Sequence, residues 1–375
     1  MNRSHSILLV FIVHALAGGG IFTRIPDIQQ NLQMSEGMLG VALTVASIGG
    51  LLSNLAAGHL VQAVGVKPIL VIGLPGLAVF SALAAFAPTL PLLFAFLLLM
   101  GVTFSLVNVA MNVEADRVET EIGRRVMNRC HGVWSAGMLA ASLVGVGARG
   151  WGVPAGWHLM AFVPPVLLMS LMIMAAMPSG TEAVSKRAPR PAIALPSRRT
   201  VLLMLFGLSG GVSQIGTQNF SVIFMRDTFA APDWVDTLTL PAFLITMTIG
   251  RMAADPWTER FGPVRVSFSL GLVSLIGAIL VVASTSVAMA LTGYAMIGIG
   301  SSVLFPLMIS AAARLGTRPA AESVSAVIFL TGVVMLVAPL AMGWIAETAG
   351  LRAAFAAFIP PILVTLLLCR QLAPR

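Results

Sequence analysis

Apolar runs long enough to cross a bilayer follow one another along almost the whole of this chain, and they limit its fold more than any other feature. A hydrocarbon core about 30 Å thick is crossed by roughly 20 apolar residues in helical form. Twelve stretches qualify: residues 7–23, 38–60, 68–87, 91–112, 131–148, 157–177, 201–224, 237–255, 266–284, 287–311, 323–346 and 352–369. Inside a bilayer the backbone must satisfy its own hydrogen bonds, and uniformly apolar runs of this length do so as helices. The expected fold is all-α, a polytopic membrane protein with twelve transmembrane helices. Only 10% of the residues are charged, against roughly 25% in a soluble domain, too few to cover a water-facing surface.

The formal charge of +8 sits between the runs rather than in a nucleic-acid signature. With an even number of spans both termini share a side. That side collects Arg3, Lys67, Arg117, Arg124, Arg125, Arg129, Lys186, Arg187, Arg190, Arg198, Arg199, Arg260, Arg265, Arg314, Arg318, Arg370 and Arg375. The other side holds Arg24, Arg149, Arg226 and Arg352. The asymmetry predicts both termini in the cytoplasm of a cell whose inner (plasma) membrane carries the protein. Arg3 ahead of the first run is like a signal peptide, but no small-residue cleavage site follows, so this run is expected to stay as the first helix. Cys130 and Cys369 imply no disulfide framework.

One connection is long. Residues 178–200, rich in Pro, Ser and basic residues, are expected to form a cytoplasmic linker between two bundles of six helices, residues 1–177 and 201–375. The halves look related. A shift of 197 positions brings Gly65 onto Gly262, Gly101 onto Gly298, Met111 onto Met308 and Arg117 onto Arg314. Parallel six-span repeats are a transporter architecture.

The turn after the second run reads Gly58-His59-Leu60-Val61-Gln62-Ala63-Val64-Gly65-Val66-Lys67. It resembles the signature loop of the major facilitator superfamily, Gly-x-Leu-x-Asp-Arg-x-Gly-Arg-Lys. Gln62 stands in the acid's place and Ala63 in that of the first Arg; in the second half Glu259-Arg260-Phe261-Gly262 supplies the acid-Arg-x-Gly part. Residues Asn108, Met111, Asn112, Val118, Glu119, Gly123, Arg124, Met127, Asn128, His131, Gly132, Trp134, Ser135 and Gly137 resemble a bacterial branch close to fucose-type sugar permeases. Arg24-x-Pro26, Phe224-x-Arg226-Asp227 and Gly250-Arg251 with Asp255 fit the same branch. The resemblance implies two pseudo-symmetric six-helix bundles around a central cavity that opens alternately to each side. It implies transport of a sugar or sugar-like solute, and gating by Gln62, Gly65 and Lys67 with Glu259 and Arg260.

Within the runs, polar side chains are few and so informative, because each must find a partner inside the bundle. Asn108 and Asn112 share a helix face, as do Gln214 and Gln218, with Asn219 adjacent. Each set can hydrogen-bond a solute or hold helices together. Uncharged amides suit hydroxyls and carbonyls, and no acid lies among them. His14, near the middle of the first run, is the candidate for substrate contact and proton coupling, since imidazole titrates near neutral pH; a neutral packed histidine is the other reading. Arg251 and Asp255, four apart near the end of the eighth run, can pair and form a gate-side latch with Glu259 and Arg260.

No GxxxxGK[ST] phosphate loop and no Cys/His set with metal-ligand spacing is present, so neither an ATP-driven pump nor an enzyme is expected, and no cofactor or metal. The expected partners are a small-molecule substrate, the lipid bilayer and protons, with no nucleic acid, and the chain is expected to act as a monomer. The function expected is secondary active transport. Export of drugs or amphipathic metabolites is the runner-up, weakened by the lack of a Gly-Pro pair in the fifth run. A transport-dead membrane sensor ranks third.

Overall fold

The computed structural model describes residues 3–123, 126–177, 197–315 and 320–373. Among these, twelve helices are long and apolar enough to cross a membrane. They are α1 (His5–Thr23), α2 (Glu36–Val64), α3 (Val66–Phe86), α4 (Leu90–Ile122), α5 (Arg129–Gly150) and α6 (Ala155–Ala176), then α7 (Arg198–Thr228), α8 (Asp233–Phe261), α9 (Pro263–Val282), α10 (Val287–Ala313), α11 (Ala326–Ala349) and α12 (Leu351–Leu372). The described residues contain no strand. Most of the expected linker, with Lys186, Arg187 and Arg190, lies outside the described residues, as do Arg124, Arg125, Arg318 and Arg375. Its last residues belong to α7 instead. Ser197 caps that helix, its Oγ accepting from the Thr200 N–H at 3.2 Å, as short polar residues do at helix starts.

Two helices run well past their apolar stretches. α4 continues from the expected end at Asn112 to Ile122, and α8 from Asp255 to Phe261. Glu114, Asp116 and Glu119, which lie beyond the apolar run, are therefore helical. The extension is made largely of helix formers. Arg117 pairs with Glu121 one turn on at 3.2 Å, a spacing that supports a helix. Gly123 stops it in the left-handed region, with φ 63°, the usual glycine role at a helix end. The Glu119 carboxylate then accepts from the N–H groups of Val126 and Met127, at 2.8 and 3.1 Å, at the start of the next helix.

The two halves repeat in backbone detail. Gly65, between α2 and α3, has φ 87° and ψ 161°; Gly262, between α8 and α9, has φ 81° and ψ 152°. Only glycine takes these angles without strain, so both turns depend on it. A Cβ on Gly101 would run into the Ala46 carbonyl, and one on Gly298 into the Phe243 carbonyl. Both partners are also 197 residues apart. The sixth helix of each half is interrupted, at Ala161-Phe162 before Pro164-Pro165 and at Ala357-Phe358 before Pro360-Pro361. Proline lacks the N–H and crowds the carbonyl four residues back.

The chain divides into two compact units. Unit 1 is Met1–Ser35, Val41–Arg187 and Pro232–Thr237; unit 2 is Glu36–Gly40, Ala188–Ala231 and Leu238–Arg375. They differ from contiguous halves by two short exchanged segments. In unit 1, α1 forms the axis: Val10 and Phe11 are fully buried against Leu70 and Leu74 of α3 and Val107 and Met111 of α4. In unit 2, Leu203 and Phe206 of α7 pack with Leu304 and Met308 of α10.

Candidate solute-binding site

The polar chemistry of unit 2 concentrates on α7. Ser209, Ser213, Thr217 and Ser221 recur every fourth residue and form one stripe along the helix, all buried. The ends of the stripe are paired: Ser209 with the Thr365 hydroxyl at 2.7 Å and Ser221 with that of Thr239 at 2.8 Å. The middle is not. The hydroxyl oxygens of Ser213 and Thr217 have no hydrogen-bond partner among the described residues. Beside this stripe run Gln214 and Gln218. Gln214 Oε1 accepts from Arg251 Nη2 at 3.5 Å. Gln218 is buried and Asn219 half-buried, and neither side chain hydrogen-bonds to a described residue. A polar group in hydrocarbon without a partner costs several kcal/mol. Two such hydroxyls, with the amides of Gln218 and Asn219 beside them, can take up a solute with several hydrogen-bonding groups.

Arg251 does not pair with Asp255, as their spacing allows. Its guanidinium turns to Gln214, while Asp255 is exposed. The longer α8 explains this. Arg251 lies ten residues before the helix end at Phe261. That separation is about 15 Å along a helix axis. It is therefore well inside the helix, where Gln214 of α7 offers the polar partner. Glu259 and Arg260 are exposed near the helix end, and Arg260 stacks over Phe261 at 5.3 Å instead of entering a relay.

In unit 1 the sequence candidates are more fully engaged. His14 is fully buried. Its Nδ1 accepts from the Trp134 indole N–H at 3.0 Å. Indole can only donate, so the ring proton lies on Nε2. Nε2 then donates to the Phe104 carbonyl at 3.2 Å. The neutral imidazole is satisfied on both sides, joining α1 to α4 and α5. Asn112 Nδ2 donates to the Asn108 carbonyl at 2.8 Å and to its side-chain oxygen at 3.1 Å. The pair shares a face, but its hydrogen bonds run along α4 rather than between helices. Gln62 is exposed on the last turn of α2. Lys67 Nζ donates to the Met177 carbonyl at 2.7 Å, at the C-terminus of α6. The negative end of a helix dipole favours a cation there.

One charged cluster escaped the sequence reading. At the end of unit 1 expected outside, Arg24 Nε donates to His158 Nδ1 at 2.9 Å and Arg24 Nη1 to Asp27 Oδ2 at 3.3 Å. Arg149 Nη2 lies 3.7 Å from Asp27 and 3.6 Å from Asp233. Arg24 and Arg149 are only 2% and 6% exposed. Burial pushes the Arg24 guanidinium below the usual arginine range, and Asp27 opposes the shift. Arg24 and Arg149 read as lone outer cations in sequence; Asp27, three residues after Arg24, was the available signal.

Comparison with known proteins settles the family. The profile described as Major Facilitator Superfamily matches residues 7–240. The chain belongs to the major facilitator superfamily. It is similar to the uncharacterized transporter y4wD of Sinorhizobium fredii, 26% identical over 347 residues, covering 92% of this chain and 91% of that protein. Among solved structures, a mutant of the nucleoside transporter NupG superposes with TM-score 0.79 at 14% identity, covering all of both chains. A D-xylose-proton symporter superposes with TM-score 0.74 at 13% identity, covering 98% and 96%. The chain thus has the twelve-helix superfamily fold and is a membrane transporter, not an enzyme. The glycine turns at Gly65 and Gly262 share one backbone conformation, and the first of them lies within the matched residues.

Proposed function

We propose that this chain is a secondary active transporter that moves a small polar solute, a sugar or sugar-like metabolite, by alternating access. In this reading it sits in the inner membrane with both termini cytoplasmic, works as a monomer, and couples transport to protons. One observation carries the substrate class: the middle of α7 presents Ser213, Thr217, Gln218 and Asn219 without partners among the described residues. A hydroxyl-rich solute supplies both donors and acceptors to such a surface. Two structural relatives are, by name, transporters of nucleosides and of D-xylose. The likeness to fucose-type permeases points the same way.

The test compares Gln214→Ala and Gln218→Ala with Gln62→Ala in purified protein, using thermal shift against a panel of sugars, nucleosides, organic acids and drugs. The α7 variants are expected to weaken stabilisation by the responding solute at least tenfold in concentration, and Gln62→Ala to leave it unchanged. The reverse order would put the site elsewhere. Proton coupling is tested by imposing an inward proton gradient on proteoliposomes, which is expected to drive solute accumulation; uptake indifferent to the gradient would remove protons from the reading.

A further inference from the structure

Arg251 places a full positive charge deep in α8, and its one hydrogen bond to a described residue is to a neutral amide. The 3.5 Å contact with Gln214 is long for a hydrogen bond. No carboxylate is in ion-pair range of Arg251 among the described residues, and Asp255, one turn on, is exposed. An amide dipole orients a guanidinium but does not neutralise it, and intramembrane arginines are paired or mark a pathway. The equivalent residue in the first half, 197 positions earlier, is the neutral Asn54, so the charge belongs to unit 2 alone.

The neighbours favour the same ligand chemistry. Gln214 turns its oxygen toward Arg251, which leaves its amide NH2 to donate to something else. One turn on, Gln218 has its own unpaired amide. A guanidinium fork beside amide donors is a receptor for two oxygens that share a negative charge.

We propose that the transported solute carries an oxyanion, a carboxylate or phosphate ester, which pairs with Arg251 while its hydroxyl-bearing body lies along α7. This rests on the reading of α7 as the solute-binding face and narrows it from polar to anionic.

The experiment uses the purified full chain at fixed ionic strength and compares matched probes by thermal shift: glucose, glucuronate, glucose 6-phosphate, and inorganic phosphate alone. At least one anionic sugar is expected to stabilise the protein at concentrations about tenfold below glucose. Which of the two does so tells carboxylate from phosphate ester. Arg251→Gln is expected to abolish that preference, and Arg251→Lys, which keeps the charge, to retain it with weaker binding. The lysine variant also serves if the glutamine variant does not fold. Equal stabilisation by glucose and the anionic sugars, or an anion preference that survives in Arg251→Gln or is lost in a folded Arg251→Lys, would overturn the proposal. Binding of glucose alone, lost in Gln214→Ala, would overturn the anion while leaving the α7 site standing. Stabilisation by inorganic phosphate alone, equal in Arg251→Gln, would overturn it as well. If no member of this set or of the wider panel stabilises the protein, both readings fall.

Discussion

His14 shows how one residue's meaning depends on its partners. Its position near the middle of α1 was readable in sequence, and titration near neutral pH made it a candidate for coupling. The structure adds Trp134, which fixes the tautomer, and Phe104, which takes the remaining proton. A proton added at Nδ1 would face the indole N–H, so charging this ring requires the Trp134 contact to break. His14→Ala is therefore expected to lower stability by about 1–3 kcal/mol, the cost of the half-buried Trp134 donor left without its acceptor, while pH-driven uptake persists. Thermal unfolding and proteoliposome uptake measure the two effects separately; a fully stable variant that has lost pH-driven uptake would restore His14 as the proton carrier. A second residue-scale expectation concerns Asp27, which lies between Arg24 and Arg149. Asp27→Asn removes the shared counter-charge of two buried arginines and should destabilise the protein by about 3 kcal/mol, seen as a lower unfolding temperature. No change would mean that solvent already screens the cluster. Neither set of partners could be found from spacing, since His14 and Trp134 are 120 positions apart and Arg24 and His158 are 134.

At the scale of elements, the apolar runs located all twelve helices, because hydropathy and bilayer thickness set a common length. Their ends were less legible. Hydropathy marks where a helix leaves the hydrocarbon, not where it stops, and charged residues such as those of Val113–Ile122 are good helix formers. That difference moved Arg251 from near the expected end of α8 to ten residues before its end. The glycines that allow close crossings were visible as a repeat, but their partners were not. Gly101 meets the Ala46 carbonyl and Gly298 the Phe243 carbonyl, backbone that cannot yield as a side chain can. Gly101→Ala and Gly298→Ala are each expected to cost about 1–3 kcal/mol, read as a loss of thermal stability in detergent. Gly58→Ala, where a Cβ would meet nothing within 4 Å, is the matched control and should be close to neutral. Equal effects at all three positions would mean that the close crossings do not need glycine.

For the whole molecule, the family was legible because its loop is a short-range pattern and its repeat keeps a fixed register, Gly65 onto Gly262. The substrate was not, because a solute site is defined by which polar groups lack partners, and pairing is a property of the fold. Ser209 and Ser213 look alike in sequence, yet one bonds Thr365 and the other is unpaired. Secondary transport also makes a demand on the energy source. Under the proposed alternating access, solute movement should need only gradients. The most direct test reconstitutes the purified protein in liposomes without nucleotide and follows counterflow of the solute that most raises its thermal stability. Saturable exchange without ATP is expected, reduced at least tenfold in Gln218→Ala. Strict dependence on ATP, or no movement of a solute that binds, would contradict secondary transport through an α7 site.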